Sequence, residues 1–106
     1  MVPRVEVTPR ELLVRPGEAL RLECRDVTSG GGAALEWSKV SGQMSSRARD
    51  SGGVLVISPV TAADGGRYRC VGATRIGSDE AYADVRVYGK SIAMIPISTL
   101  MSMKYA

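Results

Sequence analysis

A chain of 106 residues has the length of one domain, and a composition of 44% hydrophobic and 24% charged residues is that of a globular one. Its 14 Lys and Arg are interleaved with 11 Asp and Glu, and the net charge of +3 carries no block of like charge, which argues against a nucleic-acid-binding tail. The absence of His removes the commonest general base and metal ligand, and the absence of Asn removes every N-linked glycosylation sequence.

The opening Met1-Val2-Pro3-Arg4 has no apolar signal-peptide run, so the chain reads as a fragment of a longer secreted protein that lacks its signal peptide. Val5 and Val7 alternate with Glu6 before Pro9 interrupts, and Leu12 to Val14 follows. Pro16-Gly17-Glu18 marks a turn. Leu20, Leu22 and Cys24 then alternate with Arg21, Glu23 and Arg25, putting apolar residues on one face of a strand and charges on the other. Ser29-Gly30-Gly31-Gly32 reads as a loop, and Leu35 and Trp37 share a face of the next strand.

The stretch from Gly42 to Gly53 is polar and loosely patterned, whereas Val54 to Ser58 is a strand with Leu55 and Ile57 facing together. Pro59 to Gly65 connects it to a run in which Tyr68, Cys70 and Gly72 alternate with Arg67, Arg69 and Val71. After a turn over Arg75 to Ser78, Ala81, Ala83, Val85 and Val87 share one face of the last strand, with Tyr82, Asp84 and Arg86 opposite. Short alternating runs divided by turn signals predict an all-β sandwich.

The two cysteines stand 46 residues apart, which is not the Cys-x-x-Cys spacing of a zinc or redox site. In a small β-domain two distant cysteines form one disulfide more often than not, which implies an oxidising compartment. The most apolar stretch, Ile92 to Met103, is too short for a membrane span and is broken by Pro96.

Cys24, Trp37 and the run Leu55-x-Ile57-x-x-Val60-x-x-x-Asp64-x-Gly66-x-Tyr68-x-Cys70 resemble the immunoglobulin superfamily over about Val5 to Val87. The resemblance implies an immunoglobulin-like sandwich of two antiparallel sheets joined by a Cys24–Cys70 disulfide, with Trp37 packed on the bridge. It also implies a tyrosine corner, in which the Tyr68 hydroxyl turns back onto the connector shaped by Asp64 and Gly66. One of Arg47 and Arg49 is expected to pair with Asp64. The interval from Trp37 to Leu55 has room for short C′ and D strands but not for the extra hairpin of variable domains, so the module resembles the I-set or C2 type.

Trp37-Ser38-Lys39, Gly42, Arg47-Ala48-Arg49-Asp50, Gly53 to Ile57 and Asp64 to Cys70 are further similar to the perlecan-type immunoglobulin modules of basement-membrane heparan sulfate proteoglycans. Peroxidasin, hemicentin and cell-adhesion receptors share much of this pattern. The chain departs from it at Gly72 and Thr74, where many I-set modules have Ala and Asn, and in the lengthened glycine loop.

The resemblance implies an extracellular protein-binding or spacer module of a matrix or adhesion protein, with a cell-surface receptor ectodomain as the alternative. A third reading, an intracellular muscle-type module, requires reduced cysteines. The implied partners are matrix or cell-surface proteins and neighbouring modules of the same chain, with no nucleic acid and no membrane insertion.

No residue set supports an enzyme: no Ser, Thr or Cys has a His to activate it. No cofactor or metal is expected, and Asp64, Asp79, Glu80 and Asp84 read as fold-motif or outer-face residues. Gly89-Lys90-Ser91 resembles the end of a phosphate-binding loop, but Asp84 stands where the first Gly belongs. One patch suits an anionic ligand such as a sulfated glycan: Arg67, Arg69 and Arg86 share an outer face by alternation, and Arg75 lies at a loop tip. Against it, Glu36 and Asp84 fall on the same face, and a mixed-charge surface is the expectation. Tyr82 and Tyr88 are outward aromatics on an expected edge strand.

The domain is expected to occupy residues 1–88. Residues 89–106 lack acidic residues and strand alternation and read as a poorly ordered tail, either a native linker or intron read-through at Gly89-Lys90-Ser91.

Overall fold

In the computed structural model, which describes residues 2–28 and 30–89, eight strands form two four-stranded sheets. They are β1 (Val5–Thr8), β2 (Glu11–Val14), β3 (Leu20–Asp26), β4 (Ala34–Lys39), β5 (Ala48–Ser51), β6 (Val54–Ile57), β7 (Gly66–Thr74) and β8 (Gly77–Val87), with a 3-10 turn at Ala62–Asp64. One sheet runs β1-β3-β6-β5 and the other β2-β8-β7-β4. Residues 90–106, and with them nearly all of the expected tail, lie outside the described residues.

Alternation builds the core. Leu20, Leu22 and Cys24 of β3 are buried while Arg21, Glu23 and Arg25 are exposed. Leu20 stands opposite Ile57 and Leu22 opposite Leu55, and all four side chains are fully buried. Each such side chain stabilises the fold by roughly 1.5–3 kcal/mol relative to exposure. Trp37 of β4 lies opposite Cys70 of β7 in the facing sheet, and Tyr68, Ala83 and Val85 complete that inner layer.

Pro9 explains a change of sheet. A proline donates no N–H and cannot continue a ladder. Before it, β1 pairs antiparallel with β3; after it, β2 pairs parallel with β8. The expected last strand is therefore not a simple edge. Asp84 to Val87 of β8 are covered by β2, and only the stretch from Gly77 to Ala83 borders an open side. Strand β8 also begins earlier than expected, because Thr74 pairs with Gly77 and leaves a two-residue turn at Arg75-Ile76.

Strand β5 lies in the stretch that shows no pattern in the sequence. Ala-Arg-Asp-Ser carries no alternation of apolar and polar residues, but Gly52 and Gly53 adopt φ of 59° and 88° and close a hairpin onto β6. This is the short D strand; residues 40–47 form no C′ strand, so the second sheet ends at β4.

The departure at Gly72 has a packing cause. A Cβ built at Gly72 would stand 2.5 Å from Cγ1 of Val5 and 3.1 Å from Cδ2 of Leu35. Val5 occupies the space that a side chain at this position would need, and this keys β1 onto the face of β7. Gly72→Ala is expected to cost about 1–3 kcal/mol through overpacking. The double variant Gly72→Ala/Val5→Ala should be less destabilised than the two single effects summed. Urea unfolding of all four proteins measures the coupling, and strict additivity would contradict the keyed packing.

Candidate functional site: the outer face of the second sheet and the corner beneath it

Two anchors hold the face from behind. The first is the bridge: Cys24 of β3 and Cys70 of β7 are disulfide-bonded, with their Cα atoms 6.4 Å apart. The buried Trp37 lies beside it, and its indole Nε1–H donates to the Gly53 carbonyl at 2.7 Å. That carbonyl also accepts the Cys24 N–H at 2.8 Å. A Cβ at Gly53 would run into the Cys24 carbonyl oxygen, and its φ of 88° also favours glycine. The sequence reading treats Gly53 as the end of a loop, yet it ties the β5–β6 turn, the disulfide strand and Trp37 together.

The second anchor is the corner before β7. The Tyr68 hydroxyl donates to the Asp64 carbonyl at 2.6 Å. The buried Asp64 carboxylate accepts the Thr61 N–H at 2.7 Å and pairs with Arg47 Nη2 at 3.2 Å, while Arg47 Nε donates to the Pro59 carbonyl at 3.1 Å. Of the two arginines considered, Arg47 makes the pair. Gly66 takes φ of 140°, outside the range an L side chain favours, as the chain enters β7. All six motif residues, Trp37, Leu55, Ile57, Asp64, Gly66 and Tyr68, thus lie in the core or at this corner.

Four of the five outward rows of the second sheet carry charges. Arg67 of β7 pairs with Asp84 of β8 at 3.0 Å, and its guanidinium lies 5.3 Å from the centre of the Tyr82 ring. Its hydrogen bond to Asp84, reinforced by that carboxylate's charge, raises the Arg67 pKa further above its ordinary value. Arg69 lies 3.8 Å from Glu80, whose carboxylate also accepts the Tyr82 hydroxyl at 2.9 Å. Arg86 stands opposite Leu13 of β2 on the same face, and Glu11, opposite Asp84, adds another acid beside it. Arg75 is apart from the rest, at the tip of the β7–β8 turn.

The structure therefore brings Arg67, Arg69 and Arg86 onto one face but sets Glu11, Glu36, Glu80 and Asp84 among them. Exposed pairs of this kind contribute little to stability, because water and salt screen them. Their effect is to make the face one of alternating charge. Asp79 differs from the sequence reading: it stands on the inward side of β8, not on the outer face, and accepts the Val5 N–H at 2.9 Å.

The loop after β3 is organised by Asp26. Its carboxylate accepts the Thr28 hydroxyl at 2.5 Å, the Thr28 N–H at 3.0 Å and the Ala33 N–H at 3.2 Å. These bonds, the Thr28 hydroxyl first, hold the Asp26 pKa below the ordinary carboxylate value.

Two predictions follow from these environments. Burial, with the nearby Asp64 charge second, pushes the Tyr68 pKa up to about 12. A raised acid pKa means stability that is complete below the ordinary value of 10.0 and is lost as pH climbs toward 12. Urea midpoints should therefore fall over that interval, and Tyr68→Phe should remove this component while costing about 1–2 kcal/mol at neutral pH for the lost bond. For Asp26 the sign is opposite: its contribution is present above the ordinary carboxylate pKa and fades as pH falls through the lowered one. On acidification the protection of the Thr28 and Ala33 amides, relative to unstructured peptide at the same pH, should fall before the core opens, and Asp26→Asn should abolish that early step.

The sequence matches the family model for the immunoglobulin domain over residues 2–73. It is 38% identical over 86 residues to a basement membrane proteoglycan of Caenorhabditis elegans, covering 79% of this chain and 2% of that protein. It is 34% identical over 91 residues to the basement membrane-specific heparan sulfate proteoglycan core protein of Mus musculus, covering 84% of this chain and 2% of that one. A human MAM domain-containing glycosylphosphatidylinositol anchor protein 2 is 36% identical over 69 residues, covering 63% of this chain and 7% of the other. The chain thus spans a small fraction of the curated relatives it matches. With two sheets joined by Cys24–Cys70, Trp37 beside the bridge and Tyr68 at the corner, it belongs to the immunoglobulin domain family.

Proposed function

We propose that this module is an extracellular protein-binding or spacer unit of a multidomain matrix protein, of the basement-membrane proteoglycan kind. The observation that carries the reading is the 38% identity to a basement membrane proteoglycan across most of the chain. A disulfide between β3 and β7 fits an oxidising compartment. The ends of the described fold suit an in-line array. Val2 packs beside Gly77 at one pole, while the Tyr88 N–H donates to the Val14 carbonyl at 3.0 Å at the other.

The alternating face argues for protein partners over sulfated glycan. A polyanion that engaged Arg67 and Arg69 would meet Asp84 and Glu80 beside them, whereas a protein surface can match both signs. A cell-surface adhesion ectodomain is the second reading, favoured by the 36% identity to the glycosylphosphatidylinositol anchor protein. Under either reading residues 1–88 are the folded unit and residues 89–106 a tail.

Sequencing the full-length transcript across both ends separates these readings. Further immunoglobulin-like modules without an anchor signal support the matrix protein, and a membrane span or anchor signal supports the receptor. The same transcript tells whether residues 89–106 follow Tyr88. For the face, Arg67→Glu/Arg69→Glu is expected to leave retention on a heparin column unchanged. Clear loss of retention would restore the arginine patch as a glycan site.

A further inference from the structure

Each open side of the sandwich is crossed by one carboxylate, and the two crossings run in opposite directions. On one side Asp79 of β8 accepts the N–H of Val5 in β1 at 2.9 Å. On the other, Asp50 of β5 accepts the N–H of Trp37 in β4 at 2.9 Å. The first bond joins the edge strand β1 to the stretch of β8 that β2 leaves uncovered, and the second joins the edge strands β5 and β4.

Both donors point out of their sheets. The Arg4 carbonyl accepts from Val27 next to β3, so the following residue, Val5, turns its N–H away from β3. The Val40 N–H donates to the Arg67 carbonyl, so alternation turns the N–H of Trp37 away from β7, along with those of Leu35 and Lys39. Both acceptors stand at positions that alternation assigns to the core. Asp50 is opposite Leu55 and in step with Ala48, and Asp79 is in step with Ala83 and Val85. An inward-pointing charge on an edge strand is a means of stopping that strand from pairing with another chain.

We propose that Asp50 and Asp79 keep this module from pairing edge to edge with a second copy of itself. Strand β4 is suited to such pairing. In an antiparallel self-pair that sets Leu35 against Lys39, Trp37 faces Trp37 of the second copy, and Glu36 faces Ser38 with no like charges opposed. The middle rung then needs the N–H that Asp50 holds. The same two-fold arrangement brings the two Asp50 carboxylates together near its axis, where they repel. On the opposite side, Asp79 occupies the Val5 donor beside the stretch of β8 that β2 leaves uncovered.

The test uses the full chain. In the unaltered protein, the Trp37 and Val5 amides should exchange with solvent at least about tenfold more slowly than the outward Leu35 amide, the scale of one hydrogen bond to a charged group. Equal rates would overturn the proposal at its first step. In sedimentation velocity the unaltered protein should be monomeric, and Asp50→Ala and Asp79→Ala should each form dimers as concentration rises. Asp50→Lys loses the same bond but restores a charge at the edge, and it should remain monomeric. Folded, monomeric Asp50→Ala and Asp79→Ala proteins would mean that the aspartates only brace the sandwich, and so would a dimeric Asp50→Lys. If an alanine variant does not fold, the amide exchange of the unaltered protein and the state of Asp50→Lys decide the matter.

Discussion

Two sheets with one apolar face each must be held at a fixed separation before any outer surface can have a shape, and the Cys24–Cys70 bridge sets that constraint here. It joins β3 and β7, an interior strand of each sheet, so a shift of either sheet is felt at the bond. Cross-linking a loop of this length restricts the unfolded chain by roughly 4 kcal/mol in the chain-entropy account. That is a large share of the stability of a domain this small. The Gly53 carbonyl extends the constraint: by accepting from both the Cys24 amide and the Trp37 indole, it fixes the β5–β6 hairpin against the bridge. Every charged row of the outer face is therefore referenced to one covalent bond and one carbonyl oxygen.

The core and the corner were legible in the sequence because their residues do jobs that few side chains can do. A Cys, a Trp, an Asp that caps a turn, and a Tyr placed to reach that Asp carbonyl leave a fixed spacing behind them. Alternation in β3, β6 and β7 was equally plain, since a strand with one buried face must repeat every second residue. Strand β5 was legible only as room for a short D strand, and its position was not: its Ala-Arg-Asp-Ser has one inward side chain partly buried and nothing else apolar. What forms it is a glycine pair at positive φ and a free edge on β6, and neither appears as a hydrophobic pattern. The cover of β8 by β2 was hidden for a related reason, because which sheet a strand joins after a proline depends on packing and not on its own residues.

The charged residues show the same limit more sharply. Asp79, Glu80 and Asp84 lie close together in the sequence, and all three read as surface acids. In the structure Asp84 neutralises Arg67, Glu80 faces Arg69 and accepts from Tyr82, and Asp79 points inward to a backbone donor of the other sheet. Parity along β8 separates the first role from the last, but the partner of each depends on strand order, which local sequence does not encode. Gly72 belongs here too: its lack of a side chain gains meaning only once Val5, from a strand far away in sequence, is found in the space it leaves.

The distribution of apolar surface bears on how such a module meets its surroundings. Most of the exposed large apolar side chains gather toward the two poles, Val2, Val27 and Ile76 at one and Val40 and Tyr88 at the other, while Leu13 and Tyr82 stand on the outer face. The broad outer face between them is charged in both signs, and its exposed Tyr82 ring is occupied by the Arg67 guanidinium. The two sides are crossed by carboxylates that take up backbone donors. Apolar contact area carries most of the drive to associate, while paired charges mainly select among partners. Under the proposed spacer reading, such a surface suits contact at the poles and makes sideways contact conditional on a partner that matches the charge rows. The proposed role as a unit in a string asks for the same two properties: registration with neighbours at the poles, and lateral binding to a surface that meets both Arg86 and Glu36.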